Sequence, residues 1–438
     1  MRIENATLMR EIIIKLRRSP GWHVVLIVGL FTILTCGFSF YSWPVTFDFT
    51  VRSLAVILLF FFFVFLFWGD GLTKKQHFRY FVLVLAFLPF ISVFYSYSEY
   101  GQPIRDGIKG TLPSLVWLSY FVLHELKPKE RFFLRAMLYI AVFVLLVQVI
   151  QQFTYPHIWF GGRDMESLTA YQDLADKRNG LWRFQIGVNG IFTAICMFYY
   201  WCRMRQKMKI QYLVIVVLML VSIYLTLTRQ LILSAVLTLL LSFFLGRKKM
   251  NLWPLLIGVI LIGIVSTYWD VLFGSFRELT NSEIVRKDYI RYLSANYYWT
   301  ETFSSVKAAI LGHGKAVSGT FLSLRGQLEQ DYGYYVSDVG FIGMMWVYGV
   351  IYVMVCYALL IYVFVKYRHY IPVYVCLLII FAVIPSVMIF PMNSPIQYML
   401  WSFLLYICDV HINRMNRLRL LHLYLQKSEL NTSTAYDS

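Results

Sequence analysis

Charge is scarce in this 438-residue chain, and negative charge is scarcer still. Only 14% of residues are charged, with 23 Asp and Glu against 40 Lys and Arg. Ordinary soluble domains carry about 25% charged residues, so this chain lacks the means to build a water-facing surface. The six cysteines (Cys36, Cys196, Cys202, Cys356, Cys376, Cys408) are scattered through apolar segments and form no CxxC. That excludes a zinc site and a disulfide framework, and leaves them as small apolar residues in helices. No metal or other cofactor is expected. Alternation of apolar and polar residues is also missing, which excludes an outer-membrane barrel. There is no internal repeat and no low-complexity tract. No cleavable signal peptide is expected, because Met1 to Ser19 is polar and basic and the apolar run after it is long enough to stay as a first span.

What the chain does have is continuous apolar runs of about twenty residues, the length that crosses a hydrocarbon core as a helix. With 59% hydrophobic residues, it is read as an all-α polytopic membrane protein. We place twelve spans at about 22–41, 52–68, 80–97, 107–124, 134–152, 183–202, 210–228, 230–245, 252–269, 338–364, 370–390 and 396–412. Residues 1–412 then form a single transmembrane domain, and 413–438 a basic, then polar cytoplasmic tail, amphipathic at first and disordered at its tip. With both termini cytoplasmic, 25 of the 40 Lys and Arg fall in cytoplasmic segments, and every cytoplasmic connection holds at least two. The short outer connections hold few, as the positive-inside rule requires. The net charge of +17 is therefore spread in short cytoplasmic clusters and is no footprint for nucleic acid. Two long outer loops remain, about 153–182 and 270–337, the second with seven basic and seven acidic residues. Within it, Tyr289 to Ile310 has apolar residues at helical spacing, which predicts amphipathic helices at the interface.

One arginine stands apart. Arg229 sits inside 36 otherwise apolar or weakly polar residues, Ile210 to Leu245. As one helix these would run roughly 54 Å, against a hydrocarbon core of roughly 30 Å. Two spans fit better, turning at Thr226, Thr228, Arg229 and Gln230, and both flanks are cationic. Arg229 then lies at the outer face, with no Asp or Glu in the chain between Asp176 and Asp270. A cation at that depth is costly and marks a functional site by default, with snorkelling to lipid headgroups as the plainer alternative. Its guanidinium suits phosphate, which it grips with a planar fork.

Two further constellations lie in and after the long loop. Arg286 to Arg291 is followed by Trp299 and by Ile310-Leu311-Gly312-His313-Gly314-Lys315. On a helix, Arg291 and Trp299 lie within about 80° of each other, suited to phosphate plus sugar stacking. A solvated face with an interfacial Trp is the plain alternative. Asp331 to Gly343 enters the tenth span and holds Tyr335 and Asp338. Asp338 is read as a helix cap in the simplest case, and otherwise as a general base or the partner of Arg229. His313, Glu329 and Asp331 are alternative bases. Arg52, Arg105, Lys109 and Arg183 are expected at outer helix ends, where they would line an anion-binding cavity.

In this order these residues resemble the O-antigen polymerase and O-antigen ligase superfamily of bacterial inner-membrane glycosyltransferases. The likeness rests on Thr228-Arg229 opening a helix, Arg291 with Trp299 downstream, Leu311-Gly312-His313-Gly314, and Asp338-Val339-Gly340-Phe341-Ile342-Gly343. It implies inverting, metal-independent transfer of glycan from an undecaprenyl diphosphate-linked donor at the periplasmic face. Arg229, Arg291 and Asp338 would be catalytic, with Arg52, Arg105, Arg183, Trp299, His313 and Tyr335 binding substrate. The ligase branch often has a histidine nine residues before the acidic-apolar-Gly element. Here Glu329 stands there, and no His lies between Lys315 and Arg368. A polymerase of lipid-linked repeat units is therefore favoured, with a chain-length regulator as a protein partner the resemblance leaves room for. The alternatives are the ligase, a cell-wall glycan polymerase, and a transporter or flippase of lipid-linked sugars. Against the last, no inverted repeats or broken helices are expected, and no filter-like motif suggests a channel.

Overall fold

Proline decides where the apolar helices bend. It lacks an N–H and clashes with the carbonyl four residues back, so an α-helix that meets it tightens or breaks. Three apolar runs change to 3₁₀ geometry at such a residue: Leu88–Ile91 with Pro89, Leu112–Leu118 with Pro113, and Ile384–Val387 with Pro385. In the computed structural model the described residues are 45–68, 76–157, 175–178, 180–184, 190–245 and 289–436, with Val25, Val28, Gly29 and Trp159 besides.

In chain order the helices are α1 (Val45–Trp68), α2 (Arg79–Phe87), α3 (Ser92–Tyr100), α4 (Ile104–Thr111), α5 (Ser119–Leu126) and α6 (Glu130–Thr154). A hairpin follows, with β1 (Ala175–Arg178) antiparallel to β2 (Leu181–Phe184). Then come α7 (Ile191–Gln206), α8 (Ile210–Leu225), α9 (Arg229–Ser242), α10 (Ile290–Thr302), α11 (Val306–Leu311) and α12 (Gly319–Gln330). The last are α13 (Gly340–Tyr367), α14 (Val373–Val383) and α15 (Pro395–Tyr436). Arg79–Tyr100, Glu130–Thr154 and Val336–Tyr367 are long and apolar enough to cross a membrane. Val51–Val64, Ile210–Leu225, Arg229–Ser242 and Val373–Val387 are apolar but shorter. The chain is thus mostly helical, with helices fit to span a bilayer. The expected spans 22–41 and 252–269 fall almost wholly outside the described residues.

Several expectations are corrected. The span placed at 183–202 begins at Ile191, and Arg183 lies in strand β2, not at a helix end. The hairpin is a small addition to a mostly helical chain. Gln152 at the end of α6 holds it, donating to the Trp182 carbonyl at 2.5 Å and accepting the Trp182 N–H at 2.8 Å, while Tyr155 stacks on the indole at 3.8 Å. Arg52 lies inside α1, not at its end. The tail is helical through Tyr436, where a disordered tip was expected. The long-loop helices appear as expected, α10 and α11 covering Tyr289 to Ile310 almost completely.

Broken helices were not expected either, yet α13 is broken at Gly349, whose φ of 84° no helix permits. An unbroken helix would give the carbonyls of Trp346 and Val347 the N–H groups of residues 350 and 351. Instead the N–H groups of His313 and Gly314 donate to them, at 2.7 and 2.8 Å. The two backbones nearly touch. A Cβ on Gly312 would lie 2.3 Å from the Gly349 nitrogen, and one on Gly349 would lie 2.2 Å from the Ile310 carbonyl oxygen. Only glycine fits at both places.

The other end of the bundle is fastened by two carboxylates, the half-buried Glu130 of α6 and the buried Asp409 of α15. Asp409 is fully buried; its Oδ2 accepts from the Tyr120 hydroxyl and lies 3.0 Å from His124 Nε2, and its Oδ1 accepts the His77 N–H at 3.1 Å. Two residues on, His411 Nε2 lies 2.8 Å from Glu130 Oε2, and the Tyr374 hydroxyl donates to Oε1 at 2.9 Å. Residues two apart point to opposite sides of a helix, so α15 is fixed on both flanks. We expect Asp409→Ala to lower the unfolding midpoint in detergent strongly, by about 3 kcal/mol or more, because Tyr120 and His124 would stay buried without their acceptor. Asp409→Asn keeps one acceptor and should fall between; an unchanged midpoint in both would refute the anchor.

Candidate functional site

The turn before Arg229 is built by threonine. The Thr226 hydroxyl donates to the Ile223 carbonyl at 2.7 Å and that of Thr228 to the Thr226 carbonyl at 3.1 Å. Such local bonds compete with the helix, Leu227 takes a φ of 48°, and α8 stops. Arg229 is then the first residue of α9, and half-buried. Arg291 is the second residue of α10. Neither N-cap side chain, Thr228 or Tyr289, caps its helix. A helix N-terminus carries partial positive charge, so an arginine is electrostatically the wrong residue for it. Two such arginines would suit an anion drawn to the first turns of these helices.

The first turns of both helices reach one sulfur atom. Gln230 Nε2 donates to Met388 Sδ at 3.0 Å, and Arg291 Nη1 lies 3.9 Å from the same atom. Met388 gets there through Pro385. The carbonyl of Phe381, four residues before that proline, accepts the Ser234 hydroxyl at 2.7 Å. Ser234 and Gln230 are one turn apart on α9, so the bond that heals the proline break also sets Gln230 against Met388.

Asp338 arrives from the third side. It lies in the 3₁₀ turn Val336–Val339, and α13 begins after Val339 without a side-chain cap. The expectation that Asp338 caps this helix is therefore corrected. Its Oδ2 lies 3.9 Å from Arg291 Nε, so its charged partner is Arg291. Both groups face solvent in part, with side chains 29% and 47% exposed. Glycine permits this approach. A Cβ on Gly340 would lie 2.3 Å from the Val387 carbonyl oxygen, and one on Gly343 2.2 Å from that of Val336. Behind Arg291, the start of α10 is seated on Gly333, where a Cβ would strike Ile290 at 2.5 Å, and the Tyr298 hydroxyl donates to the Tyr334 carbonyl at 2.8 Å.

Four elements thus bring together Arg291, Asp338, Gln230 and Met388, with Arg229 adjoining in sequence. Tyr335 precedes Asp338 by one turn, is partly exposed, and its carbonyl accepts the Asp338 N–H at 3.1 Å. Trp299 shares α10 with Arg291 but stands roughly 12 Å further along, packed on Phe303 at 4.6 Å. Arg52 in α1, Arg105 at the start of α4 and Arg183 in β2 belong to other elements.

His313 is placed outside this cluster. It is buried, stacked on Trp346 at 5.1 Å and edge-on to Tyr95 at 5.2 Å. It serves the helix break and is no exposed base. Glu329 is also buried, bonded to Arg325 Nε at 2.8 Å. Sequence reasoning missed Met388 and the Asp409 cluster. The signals were a proline inside a span and a lone acid in an apolar run. Among the described residues no group of acidic, His or Cys side chains is arranged to hold a metal ion.

Burial pushes the His313 imidazole down to about 4, from an ordinary value of 6.5. As pH falls, the unfolded chain takes up the proton first, so the stability contributed by the neutral ring is whole above about 6.5 and is lost towards 4. The unfolding midpoint should therefore drop between pH 7 and pH 5, and His313→Gln should flatten that drop. Gly340→Ala should leave a folded protein with Asp338 displaced, read as a lower midpoint and faster reaction of Arg291 with guanidine-modifying reagents; a wild-type response would refute the glycine argument.

No protein-family model matches the chain, and no curated protein matches it.

Proposed function

We propose that the chain is a membrane glycosyltransferase that joins undecaprenyl diphosphate-linked oligosaccharide repeat units into a longer polysaccharide. The observation that carries this is the meeting of two arginine-bearing helix N-termini at Met388, with Asp338 beside Arg291. A lipid diphosphate offers two linked anionic groups, and two guanidinium-bearing N-termini answer them. As the glycosidic bond to the donor phosphate breaks, charge grows on the leaving diphosphate. Fixed cations and N–H groups stabilise that charge without moving. Asp338, the carboxylate beside Arg291, would accept the proton of the attacking sugar hydroxyl, released from Arg291 when the diphosphate takes its place. Tyr335 and Trp299 would stack on sugar rings.

Glu329 supports a polymerase over a ligase. It stands where the ligase branch often carries a histidine, and it is buried against Arg325. The break of α13 at Gly349 favours a second reading, a transporter of lipid-linked sugars, since interrupted helices build many transport sites.

The test is reconstitution with purified lipid-linked repeat units and a gel of the products. A ladder of lengthening glycans is expected, reduced roughly 100- to 1000-fold in rate by Arg229→Ala or Arg291→Ala, and by Asp338→Asn with substrate binding retained. Transfer only when a lipid A core is added would assign a ligase. Translocation with no covalent product would assign the transporter.

A further inference from the structure

The helix α15 is 42 residues long, roughly 63 Å, about twice a hydrocarbon core. The bundle lets go of it at a definite point. Ile412 is buried, and Asn413 Oδ1 lies 3.4 Å from His77 Nε2. From Arg414 to His422, and again at Tyr424, every residue is exposed. Leu418, Leu420, Leu421 and Tyr424 are 51%, 67%, 59% and 73% exposed. Apolar surface of this size left uncovered marks an interaction site. Arg414, Arg417 and Arg419 are interleaved with it, and no Asp or Glu occurs from Val410 to Ser428.

The same end of the bundle is basic elsewhere. His77 packs on Tyr367 at 5.8 Å, which brings Lys366 and Arg368 here, and the His411–Glu130 pair brings Lys129 and Arg131. All four are exposed. This end lies opposite the arginine cluster, because α13 runs from Gly340 beside Val387 to Tyr367 beside His77.

We infer that residues 414–424 of α15 dock on anionic phospholipid headgroups at the basic end of the bundle. Leucines entering the headgroup–acyl boundary, with arginine heads held at the phosphates, account for both features. A second copy fits less well. Two membrane-anchored copies would pair in parallel and set Arg414, Arg417 and Arg419 against their own images, with no acid to offset them. Each arginine near an anionic surface favours the docked state about fivefold, so three favour it roughly a hundredfold over neutral lipid. Salt weakens the effect. This surface is independent of the proposed glycosyl transfer.

The experiment uses the full chain with Cys36→Ser, Cys202→Ser and a nitroxide on Leu420→Cys. It is placed in vesicles of phosphatidylcholine alone, or with phosphatidylglycerol added. With phosphatidylglycerol the label should become shielded from a water-soluble nickel chelate and open to oxygen; in phosphatidylcholine it should stay open to the chelate. Combined Arg414→Glu, Arg417→Glu and Arg419→Glu, at an unchanged unfolding midpoint, should abolish the difference. If that variant does not fold, the two vesicles decide alone. Equal exposure to the chelate in both overturns the inference. So does a label-to-label distance, the same in both lipids, that reports a second copy on the patch.

Discussion

The carbonyl of Phe381 loses its helical donor because residue 385 is proline, and a hydrocarbon interior offers no water to replace it. Ser234 of α9 supplies the bond. The carbonyls of Trp346 and Val347 lose theirs at Gly349, and the His313–Gly314 turn supplies them. Backbone satisfaction in an apolar medium is the constraint from which the rest follows. Both of these breaks are answered by another segment, and each answer fixes the position of that segment. The helix that repairs Phe381 is the one that opens with Arg229. The loop that repairs α13 leads directly out of the α10–α11 pair that bears Arg291.

The candidate site is therefore a by-product of repair as much as of its own contacts. The Arg291–Asp338 ion pair is long, at 3.9 Å, and partly solvated, and pairs of that kind contribute little to stability. What holds Arg291 and Asp338 in place is backbone: α10 seated on Gly333, and the 3₁₀ turn of Asp338 pressed onto the Pro385 turn through Gly340 and Gly343. Rigid elements carry the charged groups, so their positions do not depend on the ion pair.

Periodicity and charge made much of the helical framework legible. Continuous apolar runs announce helices whatever their neighbours, and the turn at Thr226 to Arg229 was marked by hydroxyls and a cation in an apolar run. Arg229, Arg291 and Asp338 were legible because charge in such a chain is rare. Their arrangement was not. That Asp338 faces Arg291, and not the first N–H groups of α13, depends on the 3₁₀ turn before that helix, which local preference does not specify. Met388 is one of 16 methionines, and nothing in its sequence surroundings separates it from those that fill the core. The β1–β2 hairpin was hidden in a loop whose docking depends on Gln152, thirty residues from Trp182 in the chain. His313 looked like a base because a histidine between two glycines resembles an exposed turn. Its burial follows from the broken helix, a long-range event.

The sulfur of Met388 has a consequence of its own. A thioether is a soft and feeble acceptor, yet here it is the atom that the Gln230 amide and the Arg291 guanidinium share. A carboxylate in that position would grip both donors and compete with every incoming anion. A leucine would leave them undirected. Sulfur aims them while binding them weakly, so a stronger oxygen acceptor would displace it with little loss. The two donors are thus kept aimed by a partner that is easily displaced.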